Sequence, residues 1–596
     1  MRYSALTALL FLLVSPGTIL AQVEITNVGI DASLGFVLNE GFVAVRSSEA
    51  RSGQTDFNGD GDAIDFVLHT YDIKSGVLTN TGLDASGAPA IFGNYVAWTV
   101  NETRQGMTDL NGDGDVRDLV LHVADMSTGL VTNLACPGAS YSLDGTMLGF
   151  LVSESGHGGA DLNGDGDTFD SVLHLFDVAT GILTNVGRDA SGGFAVSGAF
   201  VAFGVDEARD GYVDLNGDGD ASDIVMHVYD IAGGVVRNLE LATNTLEFDF
   251  DGDLLAFTVR EDFNGNVDLN GDGDALDPVL YVYEPSTNAL ANLGLAVASR
   301  HDFQVDHGVL AFAVSESLQD VDLNSDLDSA DDVMHVFEGG AGGVVNTFYA
   351  VEGFQLDRGY LAFGVREFRH FALDLNGDGD TDDLVLHIHD VASGLTANLF
   401  TDATLGFKLE GGKLLALGAS ESQQGGADQN GDNDTADFTL YIFDFAVGSL
   451  INLHADPSGG FQTFQLNGNQ VSFGVKELAQ GASDMNGDAD FSDIVLHYYD
   501  VMTGVTTNLG YDVSRGHQFK NGTIAFGVTE NRQGMTDLNG DGDAFDVVLH
   551  VTTVGEPEYG DDDEEEDSYK SKKSKKSKKS KRSKKSKKKG KKGKKK

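Results

Sequence analysis

Cysteine is all but absent: Cys136 is the only one in 596 residues, so no intramolecular disulfide braces the fold, and a lone thiol of this kind reads as a small buried apolar residue. Tryptophan is equally scarce, and Trp98 falls on a strand-like segment where related segments carry Phe, a core position. Only 7 residues are proline against 76 glycines, which favours turns over rigid linkers. Basic residues are missing from most of the chain. Of the 39 Lys and Arg, 19 lie in residues 570–596, where there is no acid; the remainder has 20 basic against 93 acidic residues, a net charge of −73. A body this acidic is excluded from direct nucleic-acid binding. The one strongly apolar run, Ala8 to Val14, is too short for a permanent membrane span. Nucleophile elbow, HExxH, phosphate loop and paired Ser/His signatures are all lacking, so no catalytic chemistry is specified by motif.

What the chain has instead is one stretch, Asp109-Leu-Asn-Gly-Asp-Gly-Asp-Val-Arg-Asp118, repeated ten times. The copies begin at Asp56, Asp109, Asp161, Asp214, Asp268, Asp322, Asp374, Asp428, Asp484 and Asp537, 52 to 56 residues apart. Positions 1, 5, 7 and 10 are always Asp and position 3 is always Asn. Four carboxylates crowded into ten residues repel one another unless a hard cation that takes six to eight oxygens gathers them, and Ca²⁺ is the usual one. Up to about ten Ca²⁺ ions are therefore expected, one per loop.

The loop resembles calcium loops of the D-x-[DN]-x-D-G type found in EF-hands, dockerins and the FG-GAP repeats of integrin-like propellers. The match covers positions 1, 3, 5 and 6. It departs at position 12, where an EF-hand has its bidentate acid and this chain has Val120, Val172 or Val225, and no EF-hand helices flank the loop. The resemblance implies the ion, not the EF-hand fold. The candidate ligands are Asp56, Asn58, Asp60, Asp62 and Asp65 in the first loop and Asp109, Asn111, Asp113, Asp115 and Asp118 in the second. The third and fourth offer Asp161, Asn163, Asp165, Asp167, Asp170 and Asp214, Asn216, Asp218, Asp220, Asp223. Asp268, Asn270, Asp272, Asp274 and Asp277 follow, then Asp374, Asn376, Asp378, Asp380 and Asp383. The last are Asp428, Asn430, Asp432, Asp434, Asp437 and Asp537, Asn539, Asp541, Asp543, Asp546. At position 6 Gly lets the chain turn sharply; Leu327, Asn433 and Ala489 replace it in three loops, and the loops with Leu327 and Ala489 are expected to bind more weakly or to turn differently.

Each unit also has a Glu shortly before its loop, as at Glu49, Glu102 and Glu154. Glu102 and its counterparts are either the carboxylate that an EF-hand would place at position 12 or caps for loop amides; sequence does not separate the two. A His recurs downstream of eight loops (His69 and His122 among them), with Tyr281 and Tyr441 in the other two units. Tyr keeps size and a polar tip but not imidazole chemistry, so inter-blade packing with a hydrogen bond is expected rather than a metal girdle.

Between loops the pattern is short, alternating and rich in β-branched and aromatic residues, with Gly, Asp and Asn turns, which predicts four antiparallel strands per unit. Four-stranded units at this period describe β-propeller blades and resemble TolB-type and WD-type propeller repeats over residues 22–555. The last unit stops after its third strand, while Val23-Glu-Ile-Thr-Asn-Val-Gly29 matches the fourth strand of other units, such as Leu183-Thr-Asn-Val-Gly187. An exchanged end strand closes a circle and removes a free sheet edge. The fold expected is an all-β propeller of about ten four-stranded blades closed by the N-terminal strand, with two joined five-bladed propellers as the alternative.

Residues 1–21 read as a signal peptide and residues 556–596 as a disordered acidic-then-Lys-rich tail. Export outside the cell, to its surface or to the periplasm, is expected, without stable membrane insertion. The functional expectation is a secreted calcium-binding propeller acting as a binding, scaffold or cell-surface module for a protein or polysaccharide ligand. A polysaccharide lyase or hydrolase using the central channel is the alternative. The tail can bind an anionic polymer through counterion release, fold back on the acidic body, or serve as a solubilising end.

Overall fold

A computed structural model describes residues 7–8, 23–244, 247–340, 342–457 and 464–555. Apart from Thr7–Ala8, a two-residue strand paired with Ile25–Asp31, the expected signal peptide and the Lys-rich tail lie outside the described residues. The body up to Val554 is one unit.

The unit is a single ten-bladed β-propeller. The first blade runs Phe36–Asn39, Phe42–Ser48, Phe66–Asp72 and Val77–Asp84, each strand antiparallel to the next. The innermost strands, from Phe36–Asn39 round to His517–Lys520, each touch the innermost strand of the next blade, and His517–Lys520 touches Phe36–Asn39 again. That closed circuit decides between one ring and two. The last blade takes its fourth strand from the other end of the chain: Ile25–Asp31 pairs with Val547–Thr553 in the register Asn27↔His550, which repeats Asn80↔His69 of the first blade.

The strands form because the two central strands of each blade are apolar on both faces. Tyr95–Asn101 and Phe200–Asp206 are buried along their whole middle, since each sheet is sandwiched between two neighbours. The core is therefore not one cluster but a series of inter-blade layers. Ala44 and Leu68 of the first blade pack with Val96, Trp98 and Val100 of the second, and Ala525 and Leu549 of the last blade pack with Val43 and Val45 of the first. Trp98 is fully buried and donates to the Asp84 carbonyl. Cys136 is a free, buried thiol. No helix among the described residues is long and apolar enough to cross a membrane.

The ring's closure carries a direct test. A chain beginning at Ser33 lacks the closing strand and leaves Val547–Thr553 as a bare edge. Its melting temperature should fall by about 4 °C or more, or its transition should lose cooperativity, as expected from the loss of about 2 kcal/mol or more at roughly 2–4 °C per kcal/mol. Adding a synthetic peptide of residues 23–32 should restore it. An unchanged melt without the strand would show that the ring does not depend on it.

Candidate metal centres

The acidic loops join the second and third strands of each blade, so all lie on the same face of the ring. In each, the turn is held by its own acids. Asp56 accepts from the amides of Gly59 (2.6 Å) and Gly61 (3.1 Å), Asn58 from Asp60, Asp60 from Asp62, and Asp62 from Ile64. Position 1 thus spends both oxygens on the turn. Position 3 reaches outward: Asn58 Nδ2 donates to Asp65 Oδ2 (3.2 Å) and to the carbonyl of Arg104 in the next blade (3.1 Å). Asn111 does the same with Asp118 and Gly156, and Asn539 with Asp546 and Arg51, which carries the contact across the ring closure.

The recurring Glu is a strap. Glu49 is fully buried; one oxygen accepts from the Phe57 amide (2.5 Å), the other from Asp65 N (3.1 Å), and its own amide donates to the Asp65 carbonyl. Glu102 repeats this with Leu110 and Asp118, and Glu530 with Leu538 and Asp546. The capping role is therefore real, yet it does not remove the acid from the cluster. Carboxylate oxygens of Glu49, Asp62 and Asp65 lie within 4.8 Å of one another, as do those of Glu102, Asp115 and Asp118, of Glu154, Asp167 and Asp170, and of Glu207, Asp220 and Asp223. Of the five loop positions proposed as ligands, the fold gathers positions 7 and 10 with the strap, while positions 1 and 3 are engaged in shaping the loop and joining blades.

Several oxygens in these pockets have nothing to bond. Asp383 Oδ1, Asp493 Oδ1, Glu421 Oε2 and Glu477 Oε2 are buried without a hydrogen-bond partner, and all four residues are fully buried. Burial also pushes the position-10 carboxyls up: Asp65, Asp170, Asp383 and Asp493 to about 7 and Asp118 and Asp223 to about 6, with like charge from neighbouring acids adding to the effect and the position-3 Asn opposing it. Asp277, Asp331, Asp437 and Asp546 move the same way. An oxygen-only pocket with orphaned, desolvated carboxylates has the donor set of a hard cation.

The loops without the position-6 Gly keep the common turn. Leu327, Asn433 and Ala489 sit at φ of 87°, 79° and 77°, and each amide still donates to the position-1 Asp. A different turn is not adopted; the strain is accepted, because that amide is wanted by the carboxylate.

The recurrent His residues are core groups, not ligands. His69 Nδ1 lies 3.2 Å from the Val67 carbonyl of its own strand, and burial lowers it to about 4, so it is neutral. The others face an aromatic ring on the cross-strand partner within the blade, as in Phe150 with His174 at 5.8 Å, and the expected packing between blades is also present, with Tyr349 against His387 at 5.0 Å and Tyr511 against His550 at 5.1 Å. Tyr281 on Phe257 reproduces the geometry at 6.0 Å.

Two recurrent groups escape a reading of the sequence. Three residues after the strap stands an amide or acid that clasps the previous blade: Gln105 accepts from Asp84 N (2.7 Å) and donates to the Gly82 carbonyl, and Gln424 and Gln533 do likewise with Asp402 and Phe400 and with Asp512 and Gly510. Where Ser52, His157 and His370 take this place, each has a buried atom without a partner. The second group is a buried Asp ending the outer strand (Asp31, Asp84, Asp189), capped by the Ser two residues on and raised by burial. The recurring Asp-Ala-Ser triplet and the fixed offset from the strap were the available signals.

No family profile matches the chain, and no curated protein sequence is significantly similar to it. Solved structures match the chain at low identity and low TM-score. The computationally designed Ika8 protein matches at 11% identity and a TM-score of 0.28, over 69% of this chain and 94% of that one. The β-propeller domain of the Trilobed protease from Pyrococcus furiosus, described with an open velcro topology, matches at 10% and 0.28, over 62% and 96%. One of two prolyl endopeptidases matches at 9% and 0.29, over 70% and 55%. Similarity this remote carries no functional argument.

Two outcomes follow from the loops. A carboxyl whose folded pKa is raised binds its proton more tightly in the fold, so stability is full below the unfolded value near 4 and is lost as pH rises through about 7. Metal-free protein in EDTA should therefore melt higher at pH 5 than at pH 7.5, and equal melting points would contradict the burial seen here. Leu327 is 93% exposed at positive φ, so Leu327→Gly should stabilise the protein by about 1 kcal/mol in chemical denaturation while Leu327→Ala changes little.

Proposed function

We propose that this chain is a secreted, calcium-binding propeller that works as a binding or scaffold module outside the cytoplasm. The observation that carries the reading is the set of fully buried carboxylate oxygens left without donors, as at Asp383, Asp493, Glu421 and Glu477, in loops built only of oxygen ligands. Nitrogen and sulfur donors are absent from the gathered Glu, position-7 and position-10 groups, which favours Ca²⁺ over the softer divalent metals. An ion at each loop would relieve the repulsion that the position-10 acids experience and would stiffen the contact each loop makes with the next blade. Extracytoplasmic calcium is commonly millimolar, so even modest sites fill there. The signal-like residues 1–21 support export. The metal-bearing face offers a surface for a protein or polysaccharide, and the Lys-rich tail offers counterion release to an anionic polymer.

Elemental analysis of purified protein at 1 mM Ca²⁺ should return several calcium ions per chain, up to about ten. Asp62→Asn with Asp65→Asn should remove one. Excess EDTA should lower the melting temperature markedly, since each site filled to about 100 times its Kd adds about 2.7 kcal/mol. Protein that carries no calcium, with a melt indifferent to EDTA, would remove the reading.

A further inference from the structure

The sixth and seventh blades break the repeat by holding phenylalanine at positions that glycine fills elsewhere. Four residues after the strap, eight blades have Gly at φ between 64° and 85°, as at Gly106 and Gly534; the seventh blade has Phe371 at 59°. In the outer strand, the residue whose amide donates to the recurrent Asn is Gly in five blades, as at Gly82. It is Phe348 at φ 64° in the sixth blade and Phe400 at 54° in the seventh. A left-handed backbone under a large side chain costs energy that Gly avoids. These rings are not taken into the core in return, since Phe348, Phe371 and Phe400 are 48–63% exposed. Two of them are anchored at the blade junction. Tyr349, next to Phe348, stacks on His370 at 5.0 Å and lies against His387 at 5.0 Å, and Phe371 meets His370 edge-on at 5.1 Å. Phe348 and Phe371 thus border one aromatic stack that crosses from blade to blade. Phe368, also exposed, carries the Arg369 guanidinium 5.8 Å from its ring centroid.

We propose that this aromatic ledge docks a basic, partly apolar peptide segment of a partner protein. The choice of partner follows from charge. The connections beside the ledge, residues 316–331 and 367–383, hold twelve carboxylates against Arg369 alone, a formal charge of −11, and two Ca²⁺ ions would still leave −7. Burial lowers the His370 pKa, and Asp326 of the preceding loop is near enough to oppose the shift. The stack therefore stands beside an acidic loop and adds no positive charge at neutral pH. An acidic segment or an anionic polymer is repelled there. A guanidinium or ammonium over an exposed ring is drawn both by the ring face and by the acids around it. Arg369 over Phe368 shows the chain itself placing a cation in this way. Apolar residues of the same segment cover the ring surface that water otherwise wets. The inference rests on the binding-module reading above and not on its calcium, because the charge keeps its sign with or without the ions.

The test is calorimetric titration of the full chain in about 0.15 M salt, where distant charges are screened. The probes are a capped peptide of about ten alternating Arg and Leu residues, its Glu-Leu counterpart, and neutral dextran. The Arg-Leu peptide should bind and the other two should not. Phe348→Gly with Phe371→Gly restores the residue that other blades have at these positions. It should weaken binding about tenfold or more, with the melting temperature unchanged or higher. Phe368→Ser, outside the left-handed positions, should weaken it too, and decides the matter should the double variant melt lower. Phe169→Ser removes another exposed ring, on the third blade, and should leave the affinity as it is. Wild-type protein that does not bind the Arg-Leu peptide, an affinity indifferent to the ledge variants, or an equal loss with Phe169→Ser overturns the inference. Binding of the Glu-Leu peptide or of dextran that the ledge variants remove does the same. None of these outcomes alters the calcium count, which is read separately.

Discussion

The buried strap glutamate is the contact on which each loop depends. Its side chain takes amides from both ends of the acidic turn, from Phe57 and Asp65 in the first blade, and its backbone closes the same span. A carboxylate placed fully inside the protein is costly unless it is bonded on both oxygens. In eight blades the loop supplies both bonds, while Glu421 and Glu477 are bonded on one oxygen only, and in every blade the strap is held to the start of its loop. The arrangement solves a local problem, how to end a long connection between two buried strands, and creates an electrostatic one, because the acids so gathered repel. The cation chemistry proposed for the loops answers that second problem in every blade at once.

Much of the architecture was legible because it is written many times. Ten loops at a steady spacing fixed the number of blades, and Val23–Gly29 announced itself as a displaced outer strand because Asn27 and its neighbours copy segments such as Leu183–Gly187. Legibility failed where one residue type plays several parts. Asp56, Asp62 and Asp65 are identical letters, yet the first is absorbed by turn amides and the other two meet the strap. Glu49 could be read as cap or as ligand, and the fold makes it a cap whose oxygens still face the other acids. The clasp made by Gln105 has no local signature, because its partners, Asp84 N and the Gly82 carbonyl, belong to another blade. Leu327 looked like a broken turn, but an aspartate's demand for one amide outweighs the cost of a left-handed leucine.

Departures from the repeat are as informative as the repeat itself. At Ser52, His157 and His370 the inter-blade clasp is replaced and a polar atom is stranded. At Pro137, Ala242, Ala296 and Ala350 the buried Asp that ends the outer strand of other blades is replaced. A scaffold whose blades are held by the same few bonds can give up one at a junction without losing the ring, and that tolerance is where individuality enters a symmetric body.

The closing strand also sets an order in time. Glu24 and Thr552 meet through a hydrogen bond between residues 528 positions apart. Ile25–Asp31 leaves the ribosome first and waits for its sheet until the last blade is made. Until Ile25–Asp31 pairs with Val547–Thr553 that strand is a sheet edge, open to the same segment of another chain. Closure by a segment from the far end thus makes exchange of that segment between two copies the simplest way for this ring to join another.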